Sequence, residues 1–253
     1  MPFIDIGRTR VHYYVHDNMG SEKPAIVFVH GAGGSGEIWR YQLDKIREYN
    51  LIALDLPGHG KSEGEAADSI KEYCESVRLF TEALDLKRFV IAGHSMGGAI
   101  SLEAALTYPE VLEGLIIINS GARLRVNPKI FDKLAGGEHP LEFVNYYYSE
   151  CVSSKTLELA RQEMKAVPAK VLLNDFRACN DFNLMESIKT IRHQALIICG
   201  TDDRMTPVKY SELLAESLSL SNLVLIQNAG HMSMIERPLQ VNKAIVDFMA
   251  GIH

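Results

Sequence analysis

The 253-residue sequence lacks any long apolar stretch. Its longest wholly apolar runs, such as Ala25–Val29 and Leu115–Ile118, are far shorter than the roughly 18 to 20 residues that span a bilayer. No membrane span is therefore expected. The N-terminus, Met1–Asp5, has neither a basic region nor a following apolar region, so no signal peptide is predicted and the cytoplasm is the expected compartment.

Basic residues and paired cysteines are also scarce. The chain has 26 Lys and Arg against 32 Asp and Glu, a net charge of −6, which argues against a nucleic-acid partner. No CxxC pair and no HExxH motif occurs, so neither a metal site nor a redox pair is expected. The four cysteines are widely separated and are expected to be reduced structural thiols: Cys74, Cys151, Cys179 and Cys199.

What the sequence does contain is ordinary globular usage, with 47% hydrophobic and 23% charged residues. Alternating residues on either side of Gly7 predict an antiparallel hairpin over Phe3–Gly7 and Arg10–His16. Continuous apolar runs then predict strands that are buried on both faces. These runs are Pro24–Val29, Asn50–Asp55, Arg88–Ala92, Leu115–Ile118, Gln194–Cys199 and Leu223–Ile226.

Helical periodicity lies between these strands. Ser69–Leu84 has apolar residues at steps of three and four, and Ser69 with Glu72 makes a capping box at its start. Further helices are predicted over Gly98–Leu106, Val208–Leu218 and Leu239–Met249. Buried strands that alternate with helices predict an α/β fold, with a mostly parallel sheet and helices on both faces.

One segment, residues 122–190, interrupts the alternation because it contains no convincing buried strand. We interpret it as a helical cap inserted into a core made of residues 1–121 and 191–253. Its predicted helices are Leu124–Leu134, Leu141–Cys151, Thr156–Val167 and Val171–Cys179. An aromatic group in the cap either packs the insertion onto the core or lines a pocket beneath it, since cores and pockets use the same residues: Phe143, Tyr146, Tyr147 and Tyr148.

The strongest local signal is Gly93-His94-Ser95-Met96-Gly97, which follows a predicted strand and opens a predicted helix. A nucleophile on such a tight turn needs small neighbours two residues away on each side. The adjoining helix N-terminus favours negative charge nearby.

A second, independent signal is His30-Gly31-Ala32-Gly33-Gly34, which follows the predicted strand Pro24–Val29. Glycines there allow backbone N–H groups to approach a ligand closely. Acyl transfer requires two such donors aimed at the tetrahedral oxyanion, so we interpret this loop as a source of one of them. A plain glycine-rich turn is the alternative.

Two further loops follow predicted strands: Gly200–Pro207, which contains Asp202 and Asp203, and Asn228–Met232, which contains His231. The chain order is Ser, Asp, His, each at the C-terminal end of a strand, where an open parallel sheet forms its ligand crevice. A serine hydroxyl needs an imidazole to remove its proton, and the imidazole needs a carboxylate to fix its tautomer. The loop alone does not choose between the two aspartates.

With these motifs the chain resembles the α/β-hydrolase superfamily throughout its length, and within it the small carboxylesterases with a helical cap. The resemblance rests on His30-Gly31, Asp55–Ser62, Gly93–Gly98, Gly200–Pro207 and Gly230-His231. Asp55–Ser62 is a family marker that is expected to shape a loop at the crevice, without a catalytic role.

The resemblance implies an α/β-hydrolase fold with Ser95 as nucleophile, Asp203 as acid and His231 as general base. It also implies an oxyanion hole made by the backbone N–H groups of Ala32 and Met96. The family places the acid three residues after the loop glycine and four before a proline, a pattern that Asp203 meets and its neighbour does not. No cofactor and no metal ligand is implied.

The expected function is hydrolysis of a small-molecule carboxylic ester with a short to medium acyl chain, through an acyl-enzyme. A thioesterase, a lactonase or a carbon–carbon bond hydrolase would use the same triad. Serine at position 95 argues against epoxide hydrolases and haloalkane dehalogenases, because a resemblance to those enzymes would call for an aspartate there. The loop Gly31–Gly36 lacks the proline usual in carbon–carbon bond hydrolases. A ligand receptor with a vestigial triad is the alternative outside the enzymes. No oligomeric state is predicted.

Overall fold

An eight-stranded sheet forms the centre of the computed structural model, which describes residues 2–16 and 24–252. The strands are β1 (Phe3–Ile6), β2 (Thr9–His16), β3 (Ala25–Val29), β4 (Leu51–Leu54), β5 (Phe89–His94), β6 (Leu112–Ile118), β7 (Ala195–Gly200) and β8 (Ser221–Ile226). Their order in the sheet is β1-β2-β4-β3-β5-β6-β7-β8.

The sheet is mostly parallel. Every pairing among β3 to β8 is parallel, while β1 pairs with β2 and β2 with β4 in antiparallel fashion. The predicted N-terminal hairpin and the predicted mostly parallel sheet are therefore confirmed. The parallel order sends the carboxyl ends of β3, β5, β6, β7 and β8 to one edge of the sheet, where the functional loops lie.

Both faces of the central strands are covered, which explains their continuous apolar runs. The prediction that Leu223–Ile226 is buried on both faces is wrong, because β8 is the edge strand of the sheet: only Ile226 is buried, and Leu225 is 40% exposed. In β3, Val27 and Val29 pack into the core on one face, whereas Ile26 and Phe28 pack into the core on the other. Successive side chains of a strand point to opposite faces, so a strand buried on both faces needs apolar residues at every position.

The helices are distributed over both faces. They are α1 (Arg40–Lys45), α2 (Ile70–Ala83), α3 (Met96–Thr107), α4 (Pro128–Ala135), α5 (Ser154–Ala166), α6 (Ala169–Asp181), α7 (Val208–Ser217), α8 (Ser233–Glu236) and α9 (Pro238–Met249). Tyr73 of α2 and Ile100 of α3 belong to one core, and Ile245 of α9 belongs to the other. Ser69 caps α2 as predicted, accepting a hydrogen bond from the Glu72 N–H at 3.3 Å. No helix within the described residues is long and apolar enough to cross a bilayer.

Between β6 and β7 the chain forms α4, α5, α6 and a short 3₁₀ helix, Leu141–Tyr146, which share an apolar cluster of their own. The helix expected over Leu124–Leu134 begins only at Pro128, because the Asn127 side chain accepts the Lys129 N–H at 3.1 Å and caps it there. The helix expected over Leu141–Cys151 is wrong beyond Tyr146.

The 3₁₀ helix ends at Tyr146 because the next residue forms a hydrogen bond with the core. The carbonyl of Tyr147, the residue after the 3₁₀ helix, accepts a hydrogen bond from the Met232 N–H at 3.0 Å. A bridge between Arg123 and Asn183 also pairs the two ends of the segment. The bond between Tyr147 and Met232 places this segment, which we call the cap, against the loop that follows β8.

The turn between β5 and α3 generates a stability prediction. A Cβ at Gly93 would lie 2.0 Å from the Gly97 carbonyl oxygen, and backbone cannot yield as a flexible side chain can. We expect Gly93→Ala to lower the free energy of unfolding by at least about 2 kcal/mol. Gly136→Ala is the control, since a Cβ there meets nothing nearer than 3.4 Å, and it should stay within about 1 kcal/mol of the wild type. Urea unfolding of both variants measures the difference, and equal stabilities would contradict this turn geometry.

Candidate active site

Ser95 lies at the junction of β5 and α3 in a strained backbone conformation. Its φ is 53° and its ψ is −114°, a combination that non-glycine residues rarely adopt. The Ser95 N–H donates to the Ile118 carbonyl of β6 at 3.0 Å, which holds the turn against the sheet. A Cβ at Gly97 would lie 2.2 Å from the Val29 carbonyl oxygen, so this glycine lets the helix approach β3. The predicted tight turn with small neighbours is what the structure has.

His231 and Asp203 meet in the loops that follow β8 and β7. The His231 Nδ1 lies 2.9 Å from Asp203 Oδ2, and both side chains are almost fully buried. The other aspartate, Asp202, accepts a hydrogen bond from the Thr201 hydroxyl at 3.0 Å and makes none with His231 among the described residues. The structure thus brings together the aspartate that the family spacing selects and the histidine.

The Asp203 carboxylate is held by four further donors. Its Oδ1 accepts the N–H groups of Met205 at 2.8 Å and Thr206 at 2.9 Å. Its Oδ2 accepts the Thr206 hydroxyl at 2.8 Å and the Asn119 amide at 2.7 Å. Burial alone would raise the pKa of Asp203, but attraction to His231 and these hydrogen bonds outweigh it and lower the pKa to about 2. The carboxylate is therefore ionised over the whole physiological range.

Asn119 is a further residue of the candidate site, and the sequence assigned no role to it. It follows β6 with a φ of 49°, and besides Asp203 it contacts the Ser233 hydroxyl and the Gly230 carbonyl. A residue at the C-terminal end of β6 is placed to reach the neighbouring loops of the crevice, and the position alone is the signal that could have found it. Asn119 fixes the orientation of the carboxylate that faces His231.

The loop that follows β3 lies directly against Ser95. A Cβ at Gly31 would lie 3.2 Å from Ser95 Cβ and 2.9 Å from His94 Nδ1, so only glycine allows this approach. Ala32 belongs to this loop and lines the same cavity as Ser95, and Met96 directly follows Ser95 in the chain. Within residues 2–16 and 24–252, neither of their backbone N–H groups donates to a protein acceptor. Met96 is also the first residue of α3, where the helix dipole favours negative charge.

His94, inside the turn, has a structural part in the site. Its Nε2 donates to the His231 carbonyl at 2.8 Å, so the ring holds the histidine loop in place. Burial, reinforced by repulsion from His231, lowers the pKa of His94 to about 3. The ring is therefore neutral. This agrees with the expected role of packing or hydrogen bonding beside the nucleophile.

The segment Asp55–Ser62 forms a loop that is hydrogen-bonded to its neighbours, and the family marker implied a loop here. The buried carboxylate of Asp55 pairs with His12 Nδ1 at 2.8 Å. It also accepts the N–H groups of Gly36 at 2.7 Å and Lys61 at 2.9 Å. These bonds join the loop after β4 to the loop after β3, so both are fixed relative to the sheet edge.

A cavity of about 130 Å³ lies between the core and the cap. Ser95 and His231 are among the residues that line it. One carboxylate, that of Glu163, lies among the described lining residues. The cap supplies most of the apolar wall through Tyr147, Tyr148, Met164, Leu172 and Phe176. Of the aromatic group in the cap, Tyr147 and Tyr148 line this cavity. Phe143 packs within the cap and Tyr146 is exposed, and neither of them lines it.

Comparison with known proteins gives a family and several relatives. The model of the alpha/beta hydrolase family matches residues 26–244. Proteins named "Putative carbamate hydrolase RutD" are similar in sequence: that of Pseudomonas savastanoi pv. phaseolicola is 28% identical over 93% of this chain and 97% of its own length. That of Caulobacter sp. (strain K31) is 24% identical over 95% and 96%.

Solved structures agree on the fold. The enol-lactonase from Burkholderia xenovorans LB400 has a TM-score of 0.89 at 21% identity, covering 98% of this chain and all of its own. A thermophilic esterase has a TM-score of 0.86 at 28% identity, covering 100% of this chain and 98% of its own. Each of these two structures thus matches this chain over 98% of its length or more.

The depressed pKa of Asp203 predicts a pH dependence of stability. A carboxyl with a folded pKa of about 2 and an unfolded value of 3.8 stabilises the folded state above pH 3.8, and this contribution is lost as the pH falls through 2. The shift corresponds to about 2 kcal/mol, roughly half of it lost by pH 3. In urea unfolding from pH 7 to pH 3, Asp203→Asn should lose this acid-dependent part, whereas the neighbouring Asp202→Asn should keep it. The reverse pattern would contradict this assignment, because it would mean that Asp202 is the carboxyl with the lowered pKa.

Proposed function

The chain belongs to the α/β hydrolase family, and from this premise we propose that it is a serine hydrolase that cleaves small carboxylic esters through an acyl-enzyme. Ser95 is the nucleophile, His231 the general base and Asp203 the acid that orients it. The observation that carries the proposal is one small cavity walled by both Ser95 and His231, with His231 Nδ1 bonded to a buried, ionised Asp203.

In the first half of the reaction His231 Nε2 takes the proton of the Ser95 hydroxyl as Oγ attacks the ester carbonyl. Nδ1 keeps its proton because it donates to Asp203 Oδ2 at 2.9 Å. The positive charge that develops on the imidazole is stabilised by a carboxylate that stays ionised. The bonds from Thr206 and Asn119 prevent that carboxylate from rotating away.

The negative charge that develops on the carbonyl oxygen is met by two backbone donors, the N–H groups of Ala32 and Met96. Both belong to backbone that is held in place while the cap is seated, so little reorganisation accompanies the reaction. His231 then gives its proton to the leaving alcohol. In the second half it activates a water that attacks the acyl-enzyme, and the same two donors stabilise the second tetrahedral intermediate.

The cavity size supports a short acyl group. Its volume of about 130 Å³ is below the roughly 300 to 1,000 Å³ of pockets that hold drug-sized ligands. Its wall is made mainly of apolar side chains from the cap, which favour an alkyl chain over a charged one. The similarity to a thermophilic esterase at 28% identity supports an ester as the substrate.

Hydrolysis of a carbamate is the second candidate. Relatives that align over almost their whole length bear that name, and attack on a carbamate carbonyl would use the same nucleophile and oxyanion donors. A carbamate differs from an ester by its N–H groups, which need an acceptor in the pocket. Glu163 is the carboxylate in the cavity wall, and it is available for that bond.

A substrate panel tests the proposal. We expect kcat/KM to be highest on p-nitrophenyl esters with short acyl chains and to fall steadily beyond about eight carbons, because longer chains exceed the cavity. Thioesters, lactones and small carbamates complete the panel. Turnover should disappear after stoichiometric labelling with a fluorophosphonate, which serves as the control.

Three outcomes would contradict the proposal. The highest kcat/KM on chains of sixteen carbons or more would contradict the short acyl pocket. A carbamate preferred to every ester would select the second candidate. A single stoichiometric burst without turnover on any substrate would indicate a ligand receptor instead of an enzyme.

A further inference from the structure

A buried carboxylate in the cap, Asp175, joins helix α6 to three separate parts of the core. Its Oδ2 accepts the Gly33 N–H at 2.7 Å and His59 Nε2 at 2.8 Å, and its Oδ1 accepts the Tyr73 hydroxyl. The Asp175 side chain has no exposed surface. Burying a charge is costly unless donors compensate it, so this carboxylate is stable only while the cap is seated on all three.

One of these three donors belongs to the loop that supplies the proposed oxyanion site. Gly33 directly follows Ala32, and its N–H fixes the peptide on the C-terminal side of Ala32. The loop is tight here: Gly33 has a φ of 64°, and a Cβ at this position would lie 2.5 Å from Leu172 Cδ2, one turn before Asp175 on α6. The position of α6 therefore restricts the backbone angles that orient the Ala32 N–H.

His59 connects Asp175 to His30, the residue at the other end of the loop. Its two ring nitrogens lie 3.0 Å from the Pro57 carbonyl and 2.8 Å from Asp175, both acceptors, so both nitrogens donate. Burial lowers the pKa of His59, but the hydrogen bond and charge of Asp175 outweigh it and raise the pKa above its usual value. The His59 ring lies 4.9 Å from that of His30, the first residue of the loop.

His30 in turn is a neutral ring, because burial and the adjacent His59 charge lower its pKa to about 3. Its Nε2 accepts the Leu56 N–H at 3.1 Å, so Nδ1 carries the proton and donates to the Gly31 carbonyl at 2.8 Å. Both sides of Ala32 are thus held: Gly31 through His30 and Gly33 through Asp175.

We propose that Asp175 is a positioning residue, which couples the seating of the cap to the oxyanion site by fixing the backbone of the loop that carries the Ala32 N–H. When α6 is seated, the loop holds its donor toward the carbonyl oxygen. When α6 lifts, Gly33 loses its acceptor and the loop is free to turn its donor away. Hydrolysis is then restricted to the closed form, in which the cap also excludes bulk water from the cavity.

This inference rests on the proposed function, and its test separates the two. Asp175→Asn replaces the carboxylate with an amide that cannot accept all three hydrogen bonds. Asn174→Ala is the matched control, because the Asn174 amide also ties α6 to the core, at the Ala66 carbonyl 2.8 Å away, without touching the loop. Both variants are compared with the wild type for kcat and KM on p-nitrophenyl acetate, and for inhibition by a trifluoromethyl ketone, which forms a tetrahedral oxyanion on serine.

For Asp175→Asn we expect kcat to fall about 10- to 100-fold, since loss of a whole oxyanion donor costs about 10² to 10³. KM should change less than about threefold, and the inhibition constant of the trifluoromethyl ketone should rise about as much as kcat/KM falls. Asn174→Ala should leave all three values within about threefold of the wild type. A purely structural role would instead lower the stability of both variants and leave inhibitor affinity per folded molecule unchanged.

The inference is overturned if folded Asp175→Asn keeps wild-type kcat and inhibitor affinity, or if Asn174→Ala loses as much of both. If the single variant does not fold, His59→Leu combined with Asp175→Val removes both charges together, which a fold tolerates better than one unpaired charge. The double variant should show the same loss of kcat. A wild type that neither turns over nor reacts with a fluorophosphonate would instead overturn the proposed function itself.

Discussion

The backbone turn at Ser95 determines where the other parts of the candidate site can lie. Ser95 has a positive φ, a strained conformation that persists only where the surrounding backbone holds it in place. Gly93 lies against Gly97, and Gly97 lies against β3, at distances too short for a Cβ at either position. The same turn sets the first N–H of α3 beside the hydroxyl. Because the parallel sheet sends β7 and β8 to the same edge, the loops of Asp203 and His231 reach this turn without any long excursion.

Around this turn, two buried carboxylates join loops that follow different strands of the sheet. Asp203 gathers donors from its own loop and from Asn119 after β6, and Asp55 joins the loops that follow β3 and β4. Each is buried and compensated by several donors, so each arrangement is stable as a whole and costly to break in part. These hydrogen bonds hold the loops at the carboxyl ends of the strands in place, so the polar groups of the candidate site are already oriented in the structure.

Much of this could be predicted from the sequence, for physical reasons that differ between elements. The strands were predictable because burial on both faces leaves an unbroken apolar run such as Ala25–Val29, and the turn at Ser95 because its sterics require glycines at fixed spacing. Asp175 could not be predicted: it lies 142 positions from Gly33, and on a helix of mixed polarity an aspartate looks solvent-exposed. The early end of the 3₁₀ helix at Tyr146 also depends on a contact between residues far apart in the sequence, Tyr147 and Met232.

The assignment of Ser95 as the nucleophile can be tested by trapping the acyl-enzyme. Wild type and Ser95→Ala are mixed with a p-nitrophenyl ester of a short acid, quenched in acid during turnover, and digested for peptide mass spectrometry, with circular dichroism to confirm that both are folded. We expect an acyl group on the peptide that contains Ser95 in the wild type, and neither acylation nor turnover in Ser95→Ala. Turnover by folded Ser95→Ala at the wild-type rate, or an acyl group on another residue, would contradict this assignment.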